Sequence, residues 1–553
     1  MKAFIRKHSR LLVAAAFLAL FLIGLLTAPD YGIYFDQQSE MTILRENIKE
    51  YAHYLLGDDS EAIQYYNHIG LPRITETVEI DHGMAVFYPL APFMTRMDAD
   101  QPSLFPLWNM LAWCWFMAGV LALYGLCRKL GMNRLAAFAG ALMLYLCPRF
   151  FAEGHYNNKD MVLLSLSLLT MFFGVRLWEK PTVLRGVALA FFAALATNTK
   201  IIGVCIFGVM GLGAVVLLTA RKQWNKQAVA AAFATLVSFA AFYTLLTPAM
   251  WQNPGEYLQY LLANATGFTR WNNNVLFRSA IFRHSDNPLP FYYLPYYLLV
   301  STPIFVVALA VLGQLLAFGY CWRQRKGLLQ NQRGMLLLCA TLIWAAPLLY
   351  AMFSNPVVYN GWRHFYFVFA GLAVLGAWGF HCLVRFLQKH SKAWQRVTAC
   401  VLAVICFLTC AVGIALNHPY QYAYINAVGA FLNPGPLEEG MELDYWNVSL
   451  VDALEDAVSQ LEPTEMLTYS TMDPVTYLAL EIYHAGLPDT LASKLELAEA
   501  GDTTADLLVS NLGYHQMYGS PIPETHELIT EMTSYGNALI RVYQSIEADA
   551  SAD

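Results

Sequence analysis

Residues 11–28 read LLVAAAFLALFLIGLLTA, an unbroken apolar run of 18 residues. A helix of about 20 apolar residues is long enough to cross the hydrocarbon core of a bilayer. The preceding decapeptide, MKAFIRKHSR, is basic, and no clean small-residue cleavage pattern follows the run. We therefore predict a retained membrane anchor rather than a cleaved signal peptide.

Comparable apolar runs recur along the chain of 553 residues, which is 57% hydrophobic and only 13% charged. Soluble domains usually carry about 25% charged residues. The sequence thus predicts a polytopic α-helical membrane protein. We expect eleven spans, at residues 11–28, 106–127, 134–148, 160–177, 183–199, 201–220, 227–247, 296–319, 334–353, 364–386 and 395–416.

Lys and Arg concentrate in every second connection, and these basic connections are short. The positive-inside rule assigns such loops to the cytoplasm, so the N-terminus is expected inside and, after eleven spans, the C-terminus outside. The other loops, at 29–105, 148–160, 248–295 and 355–365, include the longest and are rich in polar and aromatic residues. We expect the functional surface of this cell-membrane protein on that outer side, with an amphipathic helix at 43–56 lying on the bilayer.

From residue 417 the composition becomes that of a soluble protein. Strands are predicted at 466–470, 506–510 and 538–543, with helices at 448–461 and 475–485. We expect a transmembrane domain at 1–416 and a small extracytoplasmic α/β domain at 417–553. The latter has no glycine-rich phosphate loop, and nothing in the chain indicates a nucleic-acid partner.

All ten cysteines lie in or at the ends of apolar runs. An external disulfide framework is therefore not expected, and no Cys–His spacing indicates zinc.

The stretch YGIYFDQQSE, residues 31–40, follows directly on the first apolar run. Asp36 and Glu40 are four residues apart, so on a helix they share one face. A carboxylate at this position is a candidate general base acting at the outer bilayer surface. The alternative is a solvated loop with ordinary acids.

The second outer stretch, PRFFAEGHYNNKD, is unusually polar for a connection between two spans. Ionisable groups at such depth are costly and tend to be functional. Arg149, His155 and Lys159 could bind phosphate oxygens, Arg as a fork and Lys as a point charge. The alternative is interfacial snorkelling with local ion pairs, such as Lys159 with Asp160.

Three further stretches hold candidate residues on the outer side. Lys200 ends ATNTK and could contact a lipid phosphate or extend into solvent. Arg363 and His364 in GWRHF pair a fixed cation with a titratable ring, or anchor an aromatic belt. Trp251 and Asn253 in TPAMWQNP could hold a sugar, or form a belt residue and a helix cap.

The stretch PRFFAEGHYNNKD resembles a loop of bacterial lipid-carrier-dependent glycosyltransferases of the C superfamily, which are related to protein O-mannosyltransferases and aminoarabinose transferases. TKIIG, TPAMWQNP, YNGWRHFYFV, HPYQYAYIN and ELDYW match further short blocks in the same order. The resemblance spans residues 31 to 446. It implies a GT-C type fold and a transferase of the cell envelope that takes a sugar from a polyprenyl-phosphate donor outside the cytoplasmic membrane.

In that superfamily an acid in the first outer loop is the general base, and Asp36 is the matching position. Gln37 replaces the acid that often follows it, so either Glu40 takes the second acid's role or the role is absent. The resemblance places the donor phosphate near Arg149, His155, Lys159, Arg363 and His364, to which we add Lys200. Asn158, Asp160, Trp251 and Asn253 complete the expected substrate pocket.

No cofactor is required by this pattern, although a divalent metal stays an open alternative because carboxylates alone do not specify one. The expected partners are the polyprenyl-phosphate sugar donor, membrane lipid, and a glycan, lipid or protein acceptor. The main alternative is a transporter or flippase of a lipid-linked sugar, which should carry charges near span midplanes. A binding module on an inert anchor is a second alternative, but it would not need eleven spans.

Overall fold

The structure, a computed structural model, describes residues 2–94, 104–267 and 271–546. Within these ranges nine helices are long and apolar enough to cross a membrane. They are His8–Tyr31, Leu104–Lys129, Asp160–Glu179, Gly203–Ala220, Lys226–Leu246, Ile304–Arg323, Gln332–Ser354, Arg363–His390 and Ala393–Leu416. The predicted class, a polytopic helical membrane protein, is confirmed.

The other two predicted spans are also helical but shorter. Val183–Thr199 is an apolar helix of 17 residues. Arg134–Tyr145 has 12 residues, about 18 Å at 1.5 Å per residue, which is too short to cross a bilayer alone. It continues, after a bend of 70°, into the helix Pro148–Tyr156, and the bent pair together would make a tenth span.

The helix Pro148–Tyr156 corrects the expectation of an outer loop at 148–160. Proline is favoured in the first turn of a helix because its missing N–H has no intrahelical acceptor there. All nine residues of this helix are buried, including Arg149 and Glu153, which are four residues apart and form an ion pair. The polar residues of the segment thus point into the protein.

The first outer segment contains the helices Gln37–Leu56, Glu61–His68 and Ala91–Met94, with 3-10 turns at Ala28–Tyr31, Ile74–Glu76 and Ala85–Leu90. The predicted amphipathic helix begins six residues earlier than expected, and its polar side is largely buried. Glu50 accepts a hydrogen bond from Thr75 at 2.8 Å, and Lys49 donates one to the carbonyl of Leu71. Its polar side therefore packs on protein, and its contact with the bilayer stays a prediction.

The later outer segments contain the helices Pro254–Thr266 and Tyr293–Val300, the 3-10 turn Pro248–Met250, and the hairpin of β1, Asn274–Phe277, and β2, Ala280–Arg283. Short helices and turns follow the last membrane helix: Gln421–Ala423, Ala427–Leu432 and Leu437–Gly440. The 3-10 turn Leu328–Gln330 lies between the membrane helices Ile304–Arg323 and Gln332–Ser354.

The C-terminal part forms a five-stranded sheet in the order β4-β3-β5-β7-β6. The strands are β3, Leu467–Ser470; β4, Leu495–Leu497; β5, Leu507–Asn511; β6, His526–Ser534; and β7, Asn537–Ser545. β3 pairs in parallel with β4 and β5, whereas β7 is antiparallel to β5 and β6. The helices Leu450–Leu461, Pro474–His484, Asp489–Ala492 and Leu512–Tyr518 accompany them.

The predicted small α/β domain is thereby confirmed, together with its three predicted strands and two predicted helices. The sequence reading missed β4 and β6. β4 has only three residues, and β6 is an edge strand in which only three of nine residues are buried, so neither forms an apolar run. One buried apolar cluster extends from the membrane helices into this sheet, so the expected division at residue 416 stays a prediction.

Candidate active site

Asp36 and Arg363 form an ion pair between the two ends of the membrane portion. Asp36 directly precedes the helix Gln37–Leu56 without a side-chain capping bond, and Arg363 begins the 3-10 turn Arg363–Val368. Nη1 of Arg363 lies 3.1 Å from Oδ2 of Asp36. The Asp36 side chain is 37% exposed and the Arg363 side chain only 9%, so the carboxylate stays accessible beside a buried cation.

Glu40 lies one turn after Asp36, and its amide donates to the Asp36 carbonyl at 3.0 Å. Its Oε1 is 2.6 Å from Nζ of Lys159, and its Oε2 accepts a hydrogen bond from Nδ2 of Asn158 at 3.0 Å. Tyr34 donates from its hydroxyl to Oδ1 of Asn158 at 3.4 Å. The first outer segment and the segment after Tyr156 are therefore joined through Glu40.

A third acid–cation pair joins Lys200 to Asp160. Lys200 follows the helix Val183–Thr199, and Asp160 is the first residue of the helix Asp160–Glu179, where the helix dipole favours a carboxylate. His364 follows directly on Arg363, and its ring packs edge-on against Tyr359 with ring centroids 4.6 Å apart. Its buried Nε2 has no hydrogen-bond partner among the described residues.

Arg149 lies in a separate, fully buried network centred on Glu153. Oε1 of Glu153 accepts hydrogen bonds from the hydroxyls of Tyr366 at 2.6 Å and Tyr445 at 2.9 Å, and lies 3.6 Å from Nη1 of Arg149. Its Oε2 accepts from Nδ2 of Asn157 at 2.7 Å. Arg149 therefore reaches the Asp36 pair only indirectly, because the ring of Tyr445 is 5.7 Å from the guanidinium of Arg363.

His155 is enclosed by aromatic rings rather than placed among the ion pairs. It stacks between Tyr31 and Trp113, with ring centroids 4.2 Å away on each side. Its two ring nitrogens lie 2.9 Å and 3.1 Å from the carbonyls of Phe151 and Gly24. These contacts fit a packing role, and its predicted contact with phosphate stays a prediction.

Trp251 and Asn253 have local partners that match the alternative reading. Asn253 caps the helix Pro254–Thr266, accepting from the amide of Glu256 at 3.2 Å. Trp251 donates to the carbonyl of Thr244 at 2.6 Å, and its ring packs edge-on against Tyr51 at 5.2 Å. A sugar-binding role for either residue stays a prediction.

Six of the predicted residues thus form three acid–cation pairs, with His364 next to Arg363 and Asn158 hydrogen-bonded to Glu40. Four others have separate contacts: Arg149, His155, Trp251 and Asn253. Among the described residues, no three His, Cys, Asp or Glu side chains gather in a way that could hold a metal ion. The sequence predicts no role for Glu153, which centres the neighbouring network, or for Tyr445 and Trp446. The block ELDYW pointed to the last two, but only the fold brings them to Arg363, 4.4 Å from the Trp446 ring centroid.

Residues 93–251 match a family model described as dolichyl-phosphate-mannose-protein mannosyltransferase. Among solved structures, the chain is similar to ArnT from Cupriavidus metallidurans in the apo state, with 13% identity and a TM-score of 0.42. It is also similar to the same protein bound to undecaprenyl phosphate, with 14% identity and a TM-score of 0.41. Both alignments cover 96% of this chain and 97% of the other. No curated protein matches the chain.

The family model covers less than a third of the chain, but it includes PRFFAEGHYNNKD, TKIIG and most of TPAMWQNP. These are three of the six blocks on which the sequence resemblance depends. The match therefore confirms the resemblance of this multi-pass membrane protein to the lipid-carrier-dependent glycosyltransferases of the C superfamily.

Proposed function

We propose that this protein transfers a sugar from a polyprenyl-phosphate donor to an acceptor hydroxyl on the extracytoplasmic side of the membrane, with Asp36 as general base. The observation that carries the proposal is the ion pair of Asp36 with Arg363, beside the pair of Glu40 with Lys159. Both belong to segments predicted outside the membrane, where a lipid phosphate lies. The acceptor is a glycan, a lipid or a protein.

In the proposed reaction, the acceptor oxygen attacks the anomeric carbon while Asp36 takes its proton. The bond from the anomeric carbon to the phosphate oxygen breaks, and the phosphate leaves with the electron pair. Arg363, Lys159 and Lys200 stabilise its charge, which is the role of preorganised cations in a site of low dielectric. Direct displacement in one step inverts the anomeric centre.

The three cations are each paired with a carboxylate before the donor binds. A phosphate that takes Arg363 therefore competes with Asp36 for the guanidinium. Once the phosphate is bound, Asp36 loses its cationic partner and is free to accept a proton from the acceptor. Binding of the donor phosphate to Arg363 would thus itself free the Asp36 carboxylate to act as the base.

The decisive variant is Asp36→Asn, which keeps the shape of the side chain but cannot act as a base. We expect transfer to fall by about 10²–10⁴-fold, the usual contribution of a general base. Binding of a polyprenyl monophosphate should be unchanged or tighter, because Arg363 is no longer held by a carboxylate. The measurement is loss of sugar from the donor in membranes of a deletion strain that carry the native acceptors.

Asp58→Asn is the matched control, because this exposed acid of the same outer segment pairs with His53, away from the cluster. It should transfer sugar like the wild type. Near-normal transfer by Asp36→Asn would refute the assignment of the base. In proteoliposomes with donor on one face, sugar movement by the wild type without bond cleavage would favour the flippase.

A further inference from the structure

Trp446 contacts Arg363 and also Phe35, the residue before Asp36, although it comes from the C-terminal part of the chain. It lies between the helices Leu437–Gly440 and Leu450–Leu461 and is only 3% exposed. Its backbone contacts the segment of Asp36, and its ring contacts Arg363. The two contacts are independent of each other.

The backbone contact fixes the segment that carries the base. The carbonyl of Trp446 accepts a hydrogen bond from the amide of Phe35, the residue before Asp36, at 2.8 Å. The same carbonyl accepts from the hydroxyl of Tyr483 at 3.0 Å, in the helix Pro474–His484. The position of Asp36 is thereby tied to the C-terminal domain.

The ring contact fixes the cation. Cζ of Arg363 lies 4.4 Å from the centroid of the Trp446 ring, within the range of a cation–π interaction. The buried Nε1 of Trp446 has no partner among the described residues, so its face, rather than its N–H group, contacts the site. Nε of Arg363 is also buried without a described partner, which leaves a donor for a phosphate oxygen.

Trp446 thus contacts both the Phe35–Asp36 segment and Arg363, and these two are joined to each other by the 3.1 Å ion pair of Asp36 with Arg363. We infer that Trp446 is a positioning residue that holds Arg363 and Asp36 in register for the transfer reaction. This inference rests on the proposed function and assigns the C-terminal part of the chain a place in it. The guanidinium also lies 5.3 Å from the ring centroid of Tyr359 and 5.7 Å from that of Tyr445, so the face of Trp446 is the nearest of three.

The test is a series of variants at this position, assayed for transfer from the polyprenyl-phosphate donor. Trp446→Leu removes the aromatic face, and we expect kcat/KM to fall by about thirtyfold, as expected for a desolvated cation–π contact of 2 kcal/mol. Trp446→Tyr and Trp446→Phe keep a face and should lie between Leu and wild type. If Trp446→Leu does not fold, Trp446→Tyr and Trp446→Phe still test the inference, provided that their thermal unfolding matches that of the wild type. A kcat/KM equal to that of the wild type in both variants would overturn the inference.

A double-mutant cycle with Arg363→Lys separates positioning from a general loss of packing. Lys has no planar guanidinium to stack on Trp446, so once Arg363 is Lys, the loss of Trp446 should matter less. The fold-reduction in kcat/KM of the double variant should therefore be at least about threefold smaller than the product of the two single reductions. Trp178→Leu is the matched control, a buried Trp whose Nε1 donates to the carbonyl of Met210 at 3.0 Å. The fold-reduction in kcat/KM caused by Trp178→Leu and that caused by Arg363→Lys should multiply in the double variant.

Multiplicative effects of Trp446→Leu and Arg363→Lys would overturn the inference. If the wild type fails to transfer sugar at all, the proposed function is wrong, and the same cycle is then read in the binding of a polyprenyl monophosphate alone. Coupling in binding supports the positioning of Arg363 by Trp446, whereas multiplicative effects there overturn it.

Discussion

At the scale of single residues, the cluster is organised by pairs of opposite charge, each joining residues that are distant in the chain. The pair of Arg363 with Asp36 joins positions 327 residues apart. Glu40 and Arg363 are both buried, and a buried charge is tolerated only when a partner compensates its lost hydration. Each pair therefore fixes the position of two side chains and compensates the charge of the more buried one.

Lys159→Met should destabilise the protein because it leaves the buried carboxylate of Glu40 without its cation. We expect the free energy of unfolding to fall by about 3 kcal/mol, as for other broken buried pairs. The double variant Lys159→Met, Glu40→Gln should recover most of the loss, since no uncompensated charge remains. Thermal unfolding in detergent measures both, and equal stability of the single and double variants would contradict the pairing.

Glu442 gives the protein a pH-dependent stability. Its carboxyl is buried, with Oε1 accepting from the amide of Leu276 at 3.3 Å, and burial raises its pKa to about 8. Between the ordinary carboxyl value and pH 8 the folded protein binds a proton that the unfolded chain has released. The free energy of unfolding should therefore fall by about 1.4 kcal/mol per pH unit in this window, from this group alone.

Glu442→Gln removes this contribution, so its stability relative to the wild type should rise as the pH is raised from 5 to 8 and level off above 8. Thermal unfolding across that range provides the measurement. Glu439→Gln serves as a control, because this acid is exposed and its charge stays hydrated. A constant difference between Glu442→Gln and wild type would refute the burial of a neutral carboxyl.

At the scale of elements, the helix Pro148–Tyr156 connects the membrane helices to the C-terminal part. Glu153 on this helix accepts hydrogen bonds from Tyr366, in the turn Arg363–Val368, and from Tyr445, in the segment before the sheet. Three parts of the chain therefore meet at one carboxylate. Arg149 supplies the compensating positive charge from the same helix.

Glu153→Gln should be strongly destabilising, because Arg149 keeps its charge in a buried site without its carboxylate. We expect a loss of about 3–5 kcal/mol in the free energy of unfolding. Glu179→Gln is the control: this half-buried acid pairs with Lys129 at 2.6 Å, and its loss should cost about 1 kcal/mol or less. Comparable losses in the two variants would contradict the role given to Glu153.

At the scale of the whole molecule, the charged cluster and the C-terminal sheet are both predicted to lie on the outer side of the membrane. The ends of the helices that bear Asp160, Lys200 and Arg363 connect to segments assigned to the outside by the distribution of Lys and Arg. A lipid-linked donor in the outer leaflet would present its phosphate at that level. The orientation of the termini stays a prediction.

Cysteine labelling of intact cells tests that orientation. Ser493→Cys, exposed beside β4, should react with a membrane-impermeant maleimide, whereas Ser391→Cys, between the last two membrane helices, should react only after permeabilisation. The unmodified chain provides the background from its ten cysteines. The opposite pattern would invert the topology and exclude an outer active site.

The sequence by itself determined the membrane class, the positions of most membrane helices, the three central strands and most of the charged residues that cluster. Hydrophobic runs and local charge patterns are enough for these, because burial in lipid or in a small sheet imposes its own composition. Only the tertiary structure decided which acid pairs with which cation. It separated Arg149, His155, Trp251 and Asn253 from the direct contacts of Asp36, and it brought Trp446 to Arg363. Those outcomes depend on packing between segments hundreds of residues apart, and no local pattern in a single chain carries that information.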